Sequence, residues 1–126
     1  MFNLLLVAIG GSIGASLRYL VYYFFKNFLF PNYIFINTLF VNIIGSFLIG
    51  YLIMILGSKN LSQDLIRYFF IIGILGSFTT FSTFSLETVE LLLNKKFFIA
   101  FLYMFLSLST CLLFTFIGLN LNKLIT

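Results

Sequence analysis

Four apolar stretches of membrane length take up nearly all of this chain of 126 residues. They run over about 2–30, 34–56, 65–93 and 97–121. A membrane helix needs roughly 20 residues at about 1.5 Å rise each, so four spans leave almost nothing over. Charged residues make up 8% of the chain and hydrophobic ones 62%, whereas a soluble domain is about 25% charged. The expected fold is an all-α membrane protein, a single four-helix transmembrane domain over residues 1–126 with no soluble module. Phe30-Pro31-Asn32 marks the first turn. Gly57-Ser58-Lys59-Asn60 and Ser62-Gln63-Asp64 form the next connection, and Lys95-Lys96 the last interface. No basic region precedes the first apolar run, which continues past Arg18 to Phe30, so a cleaved signal peptide is not expected.

Composition removes most enzyme chemistry. Histidine is absent, and the acids are Asp64, Glu87 and Glu90. That excludes histidine metal sites, histidine general bases and most paired-carboxylate mechanisms. Cys111 is the single cysteine, so no internal disulfide exists. The net charge of +4 is spread over loops and helix ends, with no basic cluster longer than two residues. This suits interfacial anchoring rather than nucleic-acid binding.

The third span holds the densest polar run, Thr79-Thr80-Phe81-Ser82-Thr83-Phe84-Ser85, preceded by Gly73 and Gly76 and closed by Glu87. Hydroxyls in hydrocarbon are costly unless bonded, so the run implies a polar lining or a helix break inside protein. Phe81 and Phe84 are i, i+3 neighbours. Phenylalanine supplies 19 of 126 residues, so the pair gains meaning only from the hydroxyls around it. Thr83 and Glu87 share a face.

Other spans carry polar stripes. Thr38, Asn42 and Ser46 repeat every four residues, continued by Gly50. Asn42 suits either a pore lining or interhelical hydrogen bonding, the latter contributing about 0.6–2 kcal/mol. In the fourth span Tyr103, Ser107, Thr110, Cys111 and Phe114 share one face; serine and threonine there can instead bond their own i−4 carbonyls. Arg18 lies more than halfway along the first span, where a charge costs about 2.5–3.5 kcal/mol on insertion scales. It either snorkels to an interface or serves as an electrostatic residue at a pore vestibule, with Gly14 one turn before it. Gly10-Gly14, Gly11-Ala15 and the Gly45, Ser46, Gly50 set allow close helix approach, within a subunit or between two.

Orientation is undetermined by charge. Leaving out intramembrane Arg18, one side of the membrane receives Lys59, Arg67 and Lys123, and the other Lys26, Lys95 and Lys96, three against three. Either one loop dominates, or the chain inserts both ways and pairs as an antiparallel homodimer. Ion sign is better defined. Arg18 favours an anion, carboxylates are too few for a divalent-cation ring, and phenyl ring edges are electropositive. A small anion loses tens of kcal/mol of hydration in a low dielectric. Hydroxyl and amide donors plus ring edges could replace part of that shell, so the residues favour a pore or carrier for a small anion.

Three motifs carry a family resemblance. Gly10-Gly11-x-x-Gly14-Ala15-x-x-Arg18-Tyr19 lies in span one. Thr38-Leu39-x-Val41-Asn42-x-x-Gly45-Ser46-Phe47-x-x-Gly50 lies in span two. Gly73-x-x-Gly76-x-x-Thr79-Thr80-Phe81-Ser82-Thr83-Phe84-Ser85-x-Glu87 lies in span three. Together they resemble the CrcB/Fluc fluoride channels. The resemblance implies a multi-pass protein of the prokaryotic cell membrane, a dual-topology homodimer with two pores, and passive fluoride export that limits toxicity. It implies an ion path at Phe81, Phe84, Asn42, Ser82, Thr83 and Ser107. It also implies a structural, non-transported sodium ion held by the backbone carbonyls of Gly76 and Thr79. Asn37 and Ser77 stand where the family commonly has glycine, and Cys111 where a hydroxyl is expected. Some members pair unlike subunits. The alternative is a small dual-topology multidrug exporter, which needs an embedded carboxylate; Glu87 is the only candidate.

Overall fold

In lipid every backbone polar group must be bonded internally, so apolar stretches of this length become helices. The computed structural model describes residues 1–30, 33, 35–56, 63–121 and 123. Helix α1 is Phe2–Phe24, extended by a π-helical turn over Phe25–Leu29. Helix α2 is Phe35–Leu56. The third span begins π-helical over Leu65–Leu75, passes through the short α3, Gly76–Phe78, breaks, and resumes as α4, Phe81–Leu93. Helix α5 is Phe97–Leu119. Four spans result, Phe2–Leu29, Phe35–Leu56, Leu65–Leu93 and Phe97–Leu119, each long and apolar enough to cross a bilayer. The fourth ends two residues before the expected limit at 121. Pro31, Asn32 and the connection 57–62 lie outside the described residues.

The α4–α5 connection is only Asn94-Lys95-Lys96. Lys96 N–H donates to Leu91 C=O at 2.9 Å and Lys95 N–H to Leu92 C=O at 3.0 Å. These two bonds form a Schellman closure. Lys95 takes the left-handed φ of 58° that glycine usually supplies there. The asparagine amide caps Glu90 C=O at 2.8 Å.

Small residues set the two main helix crossings. α1 lies along the π-helical segment and α3, and α2 lies along α5. A Cβ on Gly10 would meet Phe69 O and Gly73 Cα, and one on Gly14 would meet the Ile74 backbone. A Cβ on Gly50 would meet Thr115 O, and one on Gly118 would meet Phe47 O. The close approach these glycines permit is thus used within one chain. Val41 and Thr38 are the largest fully buried side chains among the described residues. Outside it, large apolar side chains such as Phe98, at 79% exposure, face outward as lipid requires.

Gly14→Ala is expected to lower stability by about 1–3 kcal/mol through overpacking against backbone that cannot yield. Gly76→Ala should be milder, because its Cβ would sit 3.6 Å from Ile71 O. Denaturant unfolding of the two variants in detergent micelles checks the order.

Candidate functional site at the broken third helix

The break is two residues long. Thr79 (φ −77°, ψ 158°) and Thr80 (φ −152°, ψ 116°) are extended. Extended backbone inside a membrane needs substitute partners, and Asn42 on α2 supplies them. Thr80 N–H donates to Asn42 Oδ1 at 2.8 Å, and Asn42 Nδ2 donates to Thr80 C=O at 3.1 Å. One carboxamide therefore pairs both backbone groups of Thr80. The Thr80 hydroxyl then caps α4, accepting from Thr83 N–H at 3.2 Å. It also donates to Thr83 Oγ1 at 3.0 Å and shares a 3.2 Å bond with Ser82 Oγ. Thr79 remains tied back to the end of the π-helical segment through its N–H and its Oγ1, both donating to Leu75 C=O.

The carbonyls of Gly76 and Thr79 are among those that lose their regular helical donors in consequence. In a continuous helix Gly76 C=O would accept from Thr80 N–H and Thr79 C=O from Thr83 N–H. Those amides point to Asn42 Oδ1 and Thr80 Oγ1 instead. No three of the described Cys, Asp or Glu side chains gather as a metal site. Backbone oxygens at the break are the donor set that suits a hard cation.

Beside the break lies a cleft of about 330 Å³. α2 contributes Asn42, Gly45 and Ser46; α3 contributes Gly76 and the break Thr79 and Thr80; α4 contributes Phe81 and Phe84; α5 contributes Ser107 and Cys111. The Phe81 and Phe84 rings are 5.4 Å apart and tilted by 43°, and Phe84 also meets Tyr103 at 5.2 Å. Phe81 is 74% exposed, so the cleft is walled on one side only by this chain. Ser107 Oγ is buried and has no hydrogen-bond partner among the described residues.

The CrcB-like family, described as Camphor Resistance (CrcB), matches residues 5–119. The chain belongs to the CrcB family. A relative in Campylobacter hominis is 40% identical over 124 residues, covering 98% of each chain, and carries the name Fluoride-specific ion channel FluC. A protein of the same name in Shewanella baltica strain OS185 is 44% identical over 121 residues, covering 96% of each chain. With these bacterial relatives and its four spans, this CrcB chain is a multi-pass protein of a bacterial membrane.

The residues singled out from sequence separate into two groups. Phe81, Phe84, Asn42, Ser107, Gly76 and Thr79 meet at the cleft of the CrcB chain. Ser82 and Thr83 do not line it; their hydroxyls bond to Thr80. Thr38 leaves its stripe-mates Asn42 and Ser46, because its hydroxyl donates to Glu87 Oε1 at 2.8 Å. Tyr103 Oη donates to Glu87 Oε2 at 2.7 Å. Glu87 thereby ties α2, α4 and α5 together through one carboxylate. Thr110 bonds its own i−4 carbonyl, that of Leu106, at 2.6 Å. Arg18 is half-buried on α1, away from the cleft lining. Thr80 stands in the polar run picked out from the sequence but receives no role of its own there, although its spacing before Thr83 is that of a helix N-cap.

Asn42→Ala should cost about 1–3 kcal/mol, since it strands the backbone N–H of Thr80 away from water and takes one of the donors from its carbonyl. Tyr103→Phe should cost less, about 1–2 kcal/mol, because Glu87 keeps its bond from Thr38. Unfolding midpoints in micelles give the comparison, and equal losses would contradict it.

Proposed function

We propose that this chain forms a passive fluoride channel that exports fluoride from the cytoplasm and so limits its toxicity. The observation that carries the proposal is the cleft itself: two tilted phenyl rings facing hydroxyl and amide donors beside a helix break within the membrane. Fluoride must give up most of its water in a low dielectric, and unreplaced that loss amounts to tens of kcal/mol. The buried Ser107 hydroxyl has a proton to donate and no partner among the described residues. Asn42 Nδ2 has a second N–H beyond the one given to Thr80. Phenyl edges add weaker positive potential. Relatives across nearly the whole chain that are named as fluoride-specific channels support the same function. The protein on this account is a conduit, not an enzyme.

The exposure of Phe81 and the three-against-three balance of lysine and arginine support an assembly of two antiparallel copies, each closing the other's cleft into a pore. Two such clefts make two pores per dimer. The carbonyls of Gly76 and Thr79 would hold the structural sodium ion, which supplies charge and rigidity at the centre without being transported. Both are released from helical bonding by the break. A multidrug exporter would need a carboxylate free to exchange cations and protons, whereas both oxygens of Glu87 accept bonds within the chain.

Purified protein in liposomes should release fluoride rapidly and chloride scarcely, followed with ion-selective electrodes. Absence of fluoride release from a folded dimer would remove the proposal. Phe81→Ile and Phe84→Ile should each slow release at least tenfold while the dimer elutes unchanged. Preparing the protein with N-methylglucamine in place of sodium should lower the thermal stability of the dimer, and sodium should restore it.

A further inference from the structure

The sole cysteine of the chain stands in the fourth span at a position where the resemblance leads one to expect a hydroxyl. We infer that Cys111 is a thiol-modification site in the wall of the cleft, open to small water-soluble electrophiles, and that its modification shuts the ion path. The effect on flux rests on the fluoride function proposed above.

Two observations place an accessible thiol there. Cys111 is half-buried, lines the cleft and follows Ser107 by one helical turn. Ser107 is 6% exposed, and its Oγ has no partner among the described residues. A buried hydroxyl left unbonded in a membrane helix marks a space that admits a polar occupant, water or ion. Serine hydroxyls that face nothing usually turn back to the i−4 carbonyl, as Thr110 does to Leu106 and Thr115 to Cys111. Ser107 does not, so the occupant is expected on the cleft side of α5. An occupant at Ser107 is within one helical turn of the sulfur, in the same cleft.

The chemistry is disulfide exchange. The Cys111 thiolate attacks the sulfenyl sulfur of a methanethiosulfonate. A new S–S bond forms, the reagent's bond between its two sulfurs breaks, and methanesulfinate departs with the electron pair. The thiol proton goes to water, and no further oxidant enters. Even a methylthio adduct adds two heavy atoms, about 60 Å³ if each takes about the volume of one liquid water. The cleft holds about 330 Å³. A sulfonatoethyl adduct is larger and negative, so it both fills the passage and repels an anion from it.

The test uses the full chain treated with sulfonatoethyl methanethiosulfonate in detergent micelles, where both faces are open to the reagent, and then reconstituted in liposomes. One adduct per chain by intact mass, a fall in fluoride release of at least tenfold, and recovery with dithiothreitol are the expected results. Cys111→Ala and Cys111→Ser chains should gain no mass and should release fluoride after treatment at their own untreated rate. Complete labelling with unaltered release would overturn the inference, and so would a folded protein that takes no label. Release from the untreated chain reports separately on the channel function, so its failure cannot be mistaken for a failure of the thiol to block.

Discussion

The paired hydrogen bonds between the Asn42 carboxamide and the backbone of Thr80 are the constraint on which the rest of this structure depends. An extended stretch inside hydrocarbon is tolerated only where its polar groups are matched. A side-chain amide is the one neutral group that offers a donor and an acceptor in the geometry of a peptide. Once Asn42 has satisfied Thr80, the Thr80 hydroxyl is free to start α4, and the third span resumes on a new course. The same exchange sets free the carbonyls of Gly76 and Thr79. Thus a single residue of α2 accounts for the break, the cap and the oxygen-rich patch.

The second organising element is Glu87. A carboxylate half-buried among helices is tolerable when it is supplied with donors. Thr38 and Tyr103 provide one each, from α2 and α5. The arrangement holds α4 in register with both neighbours one turn below Phe84, and Phe84 in turn meets the Tyr103 ring. Charge here serves placement. The ring on which the proposed path depends is held by the partner of the carboxylate.

How far the sequence anticipated this differs by element. Span limits were legible because length and hydropathy are decided locally, residue by residue. The break was legible in outline from the hydroxyl run between Gly73 and Glu87. Its mechanism was not, because the match between Asn42 and Thr80 spans 38 residues and depends on how two helices cross. The stripe of Thr38, Asn42 and Ser46 illustrates the limit. Helical period predicts a shared face, yet Thr38 turns to Glu87 while Asn42 turns to the break. Likewise Ser82 and Thr83 sit in the densest polar run but spend their hydroxyls on Thr80. The glycines of α1 were ambiguous between packing inside one chain and packing between two; Gly10 and Gly14 lie against the backbone of the third span.

The turn at Asn94-Lys95-Lys96 has a bearing on how the cleft can vary. Its Schellman closure joins α4 to α5 with no slack between Leu93 and Phe97. Phe81, Phe84, Ser107 and Cys111 all stand on this one hairpin, so they form a single jaw whose parts are fixed in relation to each other. The opposing jaw is α2 with the break. α2 is itself packed along α5 through Gly50 and Gly118 and tied to α4 through Glu87, so a change in bore must come from a second copy pressed onto the open side, and not from the aromatic wall parting from the hydroxyl wall.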